Sequence, residues 1–148
     1  MRPSLKEYKT QDSNLIKSLF ASIAKNYDKT NSAMSLFLHK FWNLQLVRNT
    51  FKDKRPGNYL DLCSGTGDIA LAYLKKEGEK RTVVMADFCP QMLEEAKKKS
   101  KALEFDKKHN ISYFEADAQR LPFEDASFDF ITIAYGLRNI ENPPLALK

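Results

Sequence analysis

Asn58-Tyr-Leu-Asp-Leu-Cys-Ser-Gly-Thr-Gly-Asp-Ile-Ala70 reads as a buried strand that turns through a glycine-bearing loop directly into a helix. Tyr59, Leu60, Leu62 and Cys63 form a mainly apolar run of strand length. Gly65 and Gly67 permit a tight turn, and Ile69, Ala70, Leu71 and Leu74 recur at helical spacing. Strand, small loop and helix in that order bring backbone against a ligand and suit a nucleotide-bearing cofactor. Two carboxylates follow at the ends of later strand-like runs: Asp87 after Thr82-Val-Val-Met-Ala86, and Asp117 after Ile111-Ser-Tyr-Phe-Glu-Ala116.

Outward from this segment, strands at 59–63, 82–87, 111–116 and 128–134 alternate with a helix from about residue 67 and another opened by Pro90. Such alternation predicts an α/β fold of Rossmann-like type, a parallel sheet with helices on both faces. Right-handed crossovers give strand order 3-2-1-4, with the ligand at the carboxyl ends of the strands. Ser64 to Asp68, Asp87, Asp117 and Ala134 to Asn139 all fall at that edge.

Upstream, residues 1–13 are polar and expected to form a loose tail. Leu15, Ile16, Leu19, Phe20 and Ile23 predict one helix; Met34, Phe37, Leu38, Phe41, Leu44 and Val47 predict a second, longer one. Tyr27 to Asn31 is expected as a polar junction and Lys52 to Gly57 as a connector. The division is thus a tail and helical cap over 1–56 and a cofactor-binding core over 57–148.

The 148 residues, 43% hydrophobic and 29% charged, suit one globular domain and exclude a wholly disordered chain. Net charge is +5. The lysines cluster at 75–81 and 97–108, where a solvated helix face accounts for most of them. Their field would still favour contact with an anionic membrane, whereas nucleic acid is not the expected partner. No run approaches the roughly 18 apolar residues of a membrane span, and the N-terminus lacks a signal-peptide core. The expected location is cytoplasmic, at most peripheral to the inner face of the membrane. Two cysteines, Cys63 and Cys89, give no zinc motif, and no metal is expected.

Gly65 to Ala70 also satisfies the dinucleotide fingerprint with alanine last, and Asp87 would serve a ribose in either kind of enzyme. Asp61 and Asp117 discriminate. A carboxylate within a buried strand is costly unless it is paired, and a cationic cofactor with an amino group would justify it. S-adenosylmethionine brings both, while Asp68 would repel a pyrophosphate. The structural alternative for Asp61 is a carboxylate satisfied by loop backbone amides.

Leu60-Asp-Leu-Cys-Ser-Gly-Thr-Gly-Asp68 resembles the first motif of class I S-adenosylmethionine-dependent methyltransferases. Tyr27-Asp-Lys-Thr-Asn31-Ser-Ala-Met34-Ser35-Leu-Phe-Leu-His39-Lys-Phe-Trp42 is more selective and resembles the signature of the quinone-ring C-methyltransferases of menaquinone and ubiquinone biosynthesis. Asp117-Ala-Gln-Arg-Leu-Pro-Phe123 and Tyr135-Gly-Leu-Arg-Asn139 resemble two further blocks of that family. The resemblance implies that Gly65, Thr66 and Gly67 contact the methionine moiety, Asp87 the ribose hydroxyls, and Asp117 with Ala118 the adenine. Thr30 and Ala134 depart from the family's usual methionine and serine; at Ala134, on the cofactor side, one hydrogen bond would be absent.

The activity so implied is C-methylation of a prenylated quinol, with demethylmenaquinol preferred over a ubiquinone precursor. Arg138 is the candidate stabiliser of the developing phenolate, Asn139 and Tyr27 would orient the ring oxygen, and His39 is a further candidate proton acceptor. The alternatives are a methyltransferase acting on RNA or another small molecule, and a non-catalytic cofactor-binding remnant. Family members continue beyond Lys148 with a fifth strand. The expectation is therefore a truncated chain, or one whose apolar edge strand at 128–134 needs self-association or a partner.

Overall fold

The computed structural model describes residues 13–36, 38–52 and 57–148. Four strands, β1 (Asn58–Leu62), β2 (Thr82–Asp87), β3 (Asn110–Glu115) and β4 (Phe130–Ile133), form one parallel sheet of order β3-β2-β1-β4. The expected order and all four strands are present. β1 ends one residue early because Cys63 takes a left-handed φ of 55°, and β4 is trimmed at both ends.

Side chains alternate across the central strands. Tyr59, Val83 and Met85 face a core closed by α3 (Leu38–Thr50), α4 (Asp68–Leu74) and α5 (Pro90–Ala102) through Val47, Leu71, Leu74, Leu93 and Ala96. Leu60, Leu62 and Ala86 face the other way. Helices were expected on both faces, but this second face is covered chiefly by Leu121, Phe123 and Phe128 of the connection to β4, together with Ala146 of the short α7 (Pro143–Ala146). The 116–129 connection supplies apolar side chains without a helix, so the layer is built from loop. A one-turn helix, α6 (Phe105–Lys108), precedes β3.

The N-terminal region departs most from its sequence reading. After α1 (Ser13–Ile23), a 3-10 turn leads into α2 (Tyr27–Met34), so the expected polar junction is itself helical. The expected second helix is interrupted: α2 stops at Met34, Leu36 adopts a left-handed φ of 47°, and α3 begins at Leu38. Of the expected apolar stripe on α3, Val47 is buried but the rest of it faces outward. Leu38, Phe41 and Leu44 are 53%, 57% and 46% exposed, whereas His39, Asn43 and Val47 are buried. Of the tail expected over 1–13, residues 1–12 lie outside the described residues and Ser13 begins α1; Phe37 and most of the 52–57 connector also lie outside them.

Candidate active site

The carboxyl ends of the strands open into a cavity of about 680 Å³. Its floor is the loop after β1. Gly65 and Gly67 have φ of 54° and 80°, values that favour glycine. A Cβ at Gly65 would meet nothing within 4 Å, so the loop presents bare backbone to open space. At Gly67 a Cβ would press on Ala96 and Met85, both at 3.1 Å, so that glycine lets the loop seat against the core. The Ser64 hydroxyl at the cavity wall is buried without a partner among the described residues. Bare loop backbone beside an orphaned hydroxyl and several carboxylates suits a polar, cationic nucleoside.

Asp87 terminates β2 and is buried. Its Oδ2 accepts from the Gly65 amide at 2.8 Å and its Oδ1 from the Cys89 amide at 2.9 Å. Burial nevertheless raises its pKa, these backbone bonds offsetting only part of the effect. Asp117 is exposed at the rim, where its Oδ1 accepts from the Gln119 amide at 2.9 Å, and Ala118 beside it is buried. Ala134 lines the wall at the end of β4.

Asp61 is 1% exposed in the middle of β1. The parallel register sets it opposite Thr132 of β4, whose hydroxyl donates to Oδ1 at 2.8 Å, while the Ala70 amide approaches Oδ2 at 3.2 Å. Its polar atoms thus have partners within the chain, one from a neighbouring strand and one from α4 rather than from loop amides. Burial outweighs these bonds and raises its pKa from 3.8 to about 7.

Thr66 is buried, and its hydroxyl donates to Asp28 of α2 at 2.6 Å. Lys99 of α5 reaches Thr66 at 3.1 Å, Asp28 at 2.7 Å and Asp68 at 2.6 Å. This four-residue junction fastens α2 to the glycine loop. Sequence reasoning missed Lys99 and Asp28 as site residues, because a lysine in a lysine-rich helix carries no local sign of which neighbours it will meet. Thr132 was legible in principle, since aligning two parallel strands places it beside Asp61.

Also lining the cavity, Tyr27 opens α2 and packs with Phe20 and Phe88, while Arg138 and Asn139 sit in a 3-10 turn after β4. Gly136 allows that turn to pass β1 closely, because a Cβ there would lie 2.3 Å from Cys63 Cβ. Tyr135 donates to buried Asn43 at 3.0 Å. His39, one turn before Asn43, also lines the cavity. Tyr27, Asp61, Gly65, Thr66, Asp87, Asp117, Ala118, Ala134, Arg138 and Asn139 therefore all border one space. Gly67 stands behind it. Among the described residues no cluster of His, Cys, Asp or Glu could hold a metal, and no helix is long and apolar enough to cross a membrane.

Residues 6–148 match the profile of the ubiE/COQ5 methyltransferase family. The chain is 42% identical over 134 residues to demethylmenaquinone methyltransferase of Protochlamydia amoebophila, covering 90% of this chain and 54% of that one. It is 39% identical over 137 residues to the ubiquinone/menaquinone biosynthesis C-methyltransferase UbiE of Rickettsia prowazekii, with the same coverage of 90% and 54%. The chain thus spans about half the length of the curated relatives it matches. Its fold is similar to that of a putative S-adenosyl-L-methionine-dependent methyltransferase from Methanococcus maripaludis, with TM-score 0.67, 23% identity and coverage of 86% and 55%. It is also similar to that of magnesium protoporphyrin IX methyltransferase from Synechocystis PCC 6803, with TM-score 0.74, 14% identity and coverage of 99% and 71%.

Proposed function

The chain belongs to the ubiE/COQ5 methyltransferase family, and on that premise we propose that it takes part in methylating a ring carbon of a prenylated quinol, demethylmenaquinol being the preferred acceptor. The observation that carries this reading is one cavity bordered both by Gly65, Asp87 and Asp117 and by Tyr27, Arg138 and Asn139. Two ligands must meet for methyl transfer, and a shared space lined by both sets of residues suits that requirement.

S-adenosylmethionine, when bound, supplies an electrophilic methyl on a cationic sulfur. Asp87 holds the ribose hydroxyls with the lone pairs left over from its two backbone bonds. Asp117 accepts from the adenine amino group, and the Ala118 amide meets a ring nitrogen. Because the Thr66 hydroxyl is already engaged by Asp28 and Lys99, the loop holds the methionine end through its backbone. Buried Asp61 favours a positive charge nearby, by simple Coulomb attraction.

Arg138 offers its planar, cationic guanidinium to the oxyanion that develops on the acceptor ring. Asn139 and Tyr27 orient the ring oxygen by hydrogen bonds. Exposed Met34 of α2, Leu36 of the turn after it, and Phe41 and Trp42 of α3 give the prenyl tail and the membrane that holds it an apolar approach.

Calorimetry with S-adenosylmethionine tests the cofactor assignment: saturable one-to-one binding is expected, weakened at least tenfold by Asp117→Ala. Asp87→Asn is preferable to Asp87→Ala, because its one carbonyl oxygen still accepts from the Gly65 or the Cys89 amide, whereas alanine releases both. Labelled-methyl transfer to demethylmenaquinol, a demethoxy-type benzoquinol and RNA tests the acceptor. Arg138→Gln is expected to leave cofactor binding intact and cut turnover about 100-fold. Absence of saturable binding to the folded protein overturns the reading.

A further inference from the structure

His39 is 9% exposed, lies on the cavity wall, and its Nε2 is buried without a hydrogen-bond partner among the described residues. A buried polar nitrogen without a partner carries a desolvation cost that a structural histidine normally avoids. Its other ring nitrogen is firmly held. Nδ1 lies 2.6 Å from Ser35 Oγ, and Ser35 Oγ lies 2.7 Å from the Asn31 carbonyl oxygen.

These two distances fix where the protons are. A carbonyl only accepts, so the single hydroxyl proton of Ser35 points to Asn31. Ser35 then has only lone pairs for the ring, and His39 must donate its Nδ1–H. The chain of donation runs from His39 to Ser35 to Asn31. Nε2 is left as a bare, buried lone pair on a residue of the cavity wall.

From this geometry, and resting on the proposed methylation of a phenolic ring, we infer that His39 Nε2 is the general base that takes the acceptor's hydroxyl proton. The O–H bond breaks with its electron pair remaining on oxygen, an N–H bond forms at Nε2, and the resulting imidazolium is stabilised through Ser35 and the Asn31 carbonyl. The phenolate pairs with Arg138. After the ring carbon has gained its methyl group and lost its own hydrogen as a proton to solvent, the imidazolium returns its proton to the product oxygen. Each turnover releases one proton to solvent, and the histidine ends as it began.

Ser35 and Asn31 are positioning residues in this scheme. The second histidine shares the buried, unpartnered Nε2 among the described residues but differs in tautomer and place: His109 Nδ1 accepts from the Arg81 amide at 3.2 Å, which requires the opposite tautomer, and His109 does not line the cavity. The chain has only these two histidines, so their ring nitrogens can be resolved and assigned.

The test begins with nitrogen-15 NMR of the histidine-labelled chain. The expected spectrum has His39 protonated at Nδ1 and bare at Nε2, with His109 reversed, and Ser35→Ala scrambles the His39 tautomers alone. Titrating 1,4-naphthohydroquinone under anaerobic conditions is expected to shift His39 Nε2 and leave His109 in place. His39→Gln is expected to lower turnover about 100-fold while S-adenosylmethionine affinity stays within about twofold in calorimetry. A His39 bare at Nδ1, an Nε2 resonance indifferent to the naphthohydroquinone, or a glutamine variant within threefold of parent turnover would each overturn the assignment. Failure of the parent chain to bind S-adenosylmethionine would sink the proposed function instead, and the two NMR readouts would still decide the role of His39.

Discussion

Asp61 concentrates the electrostatic tension of the site. Its carboxylate is enclosed, and burial holds its pKa near 7 against the pull of Thr132 and the Ala70 amide. Between about pH 4 and 7 the folded protein keeps a proton that the unfolded chain has released, so this group's contribution to stability falls as pH rises through that window. Asp61→Asn removes the dependence. Unfolding free energies of parent and variant from urea titrations are expected to diverge in the variant's favour from pH 4 to 8, by roughly 2–4 kcal/mol; parallel curves would mean that Asp61 stays ionised when folded. The same logic couples the cofactor to protons. If a sulfonium nucleoside settles beside Asp61, its charge drives the carboxyl toward ionisation, and binding near pH 7 is expected to release protons. Calorimetry in buffers of different ionisation enthalpy reads that release directly.

Among the elements, α3 separates what periodicity can determine from what it cannot. Apolar residues at helical spacing correctly announced a helix, yet Leu38, Phe41 and Leu44 face outward while His39 and Asn43 are buried. The buried stripe of His39, Asn43 and Val47 is polar where it meets the cavity and apolar where it enters the core. A hydrophobic pattern alone places Val47 correctly but selects the wrong face over the turns whose inner side lines a polar cavity. The junction of α2 with the glycine loop depends on Lys99 in the same way. Lys99→Met leaves Asp28 and Asp68 without their shared cation. Because these groups are partly exposed, the expected loss is about 1 kcal/mol, or about 2–4 °C in Tm. Hydrogen exchange is expected to quicken in α2 but not in α4, with weaker S-adenosylmethionine binding; unchanged exchange in α2 would show that the junction does not hold that helix.

At the scale of the whole molecule, β4 is an edge strand: among the described residues it pairs with β1 alone, and its Ile131 is 56% exposed. A parallel sheet usually buries both faces and protects its edges, so such a strand invites pairing with another chain. Light scattering is expected to show mass rising with protein concentration, with Ile131→Lys suppressing the rise; a constant monomer mass would remove the proposed self-association. The strand order, the glycine loop and the placement of Asp87, Asp117 and Arg138 at one edge were legible from sequence. Strand-length apolar runs, glycines and crossover handedness are local or topological rules that act without knowledge of distant partners. Tertiary structure alone decided that Tyr27 begins a helix, that α3 turns its polar stripe inward, that Lys99 ties α2 to the loop, and that Ser35 sets the tautomer of His39. Each of these depends on which side chains meet across the fold, because a proton or an ion pair is placed by distances of a few ångströms that the order of residues does not contain.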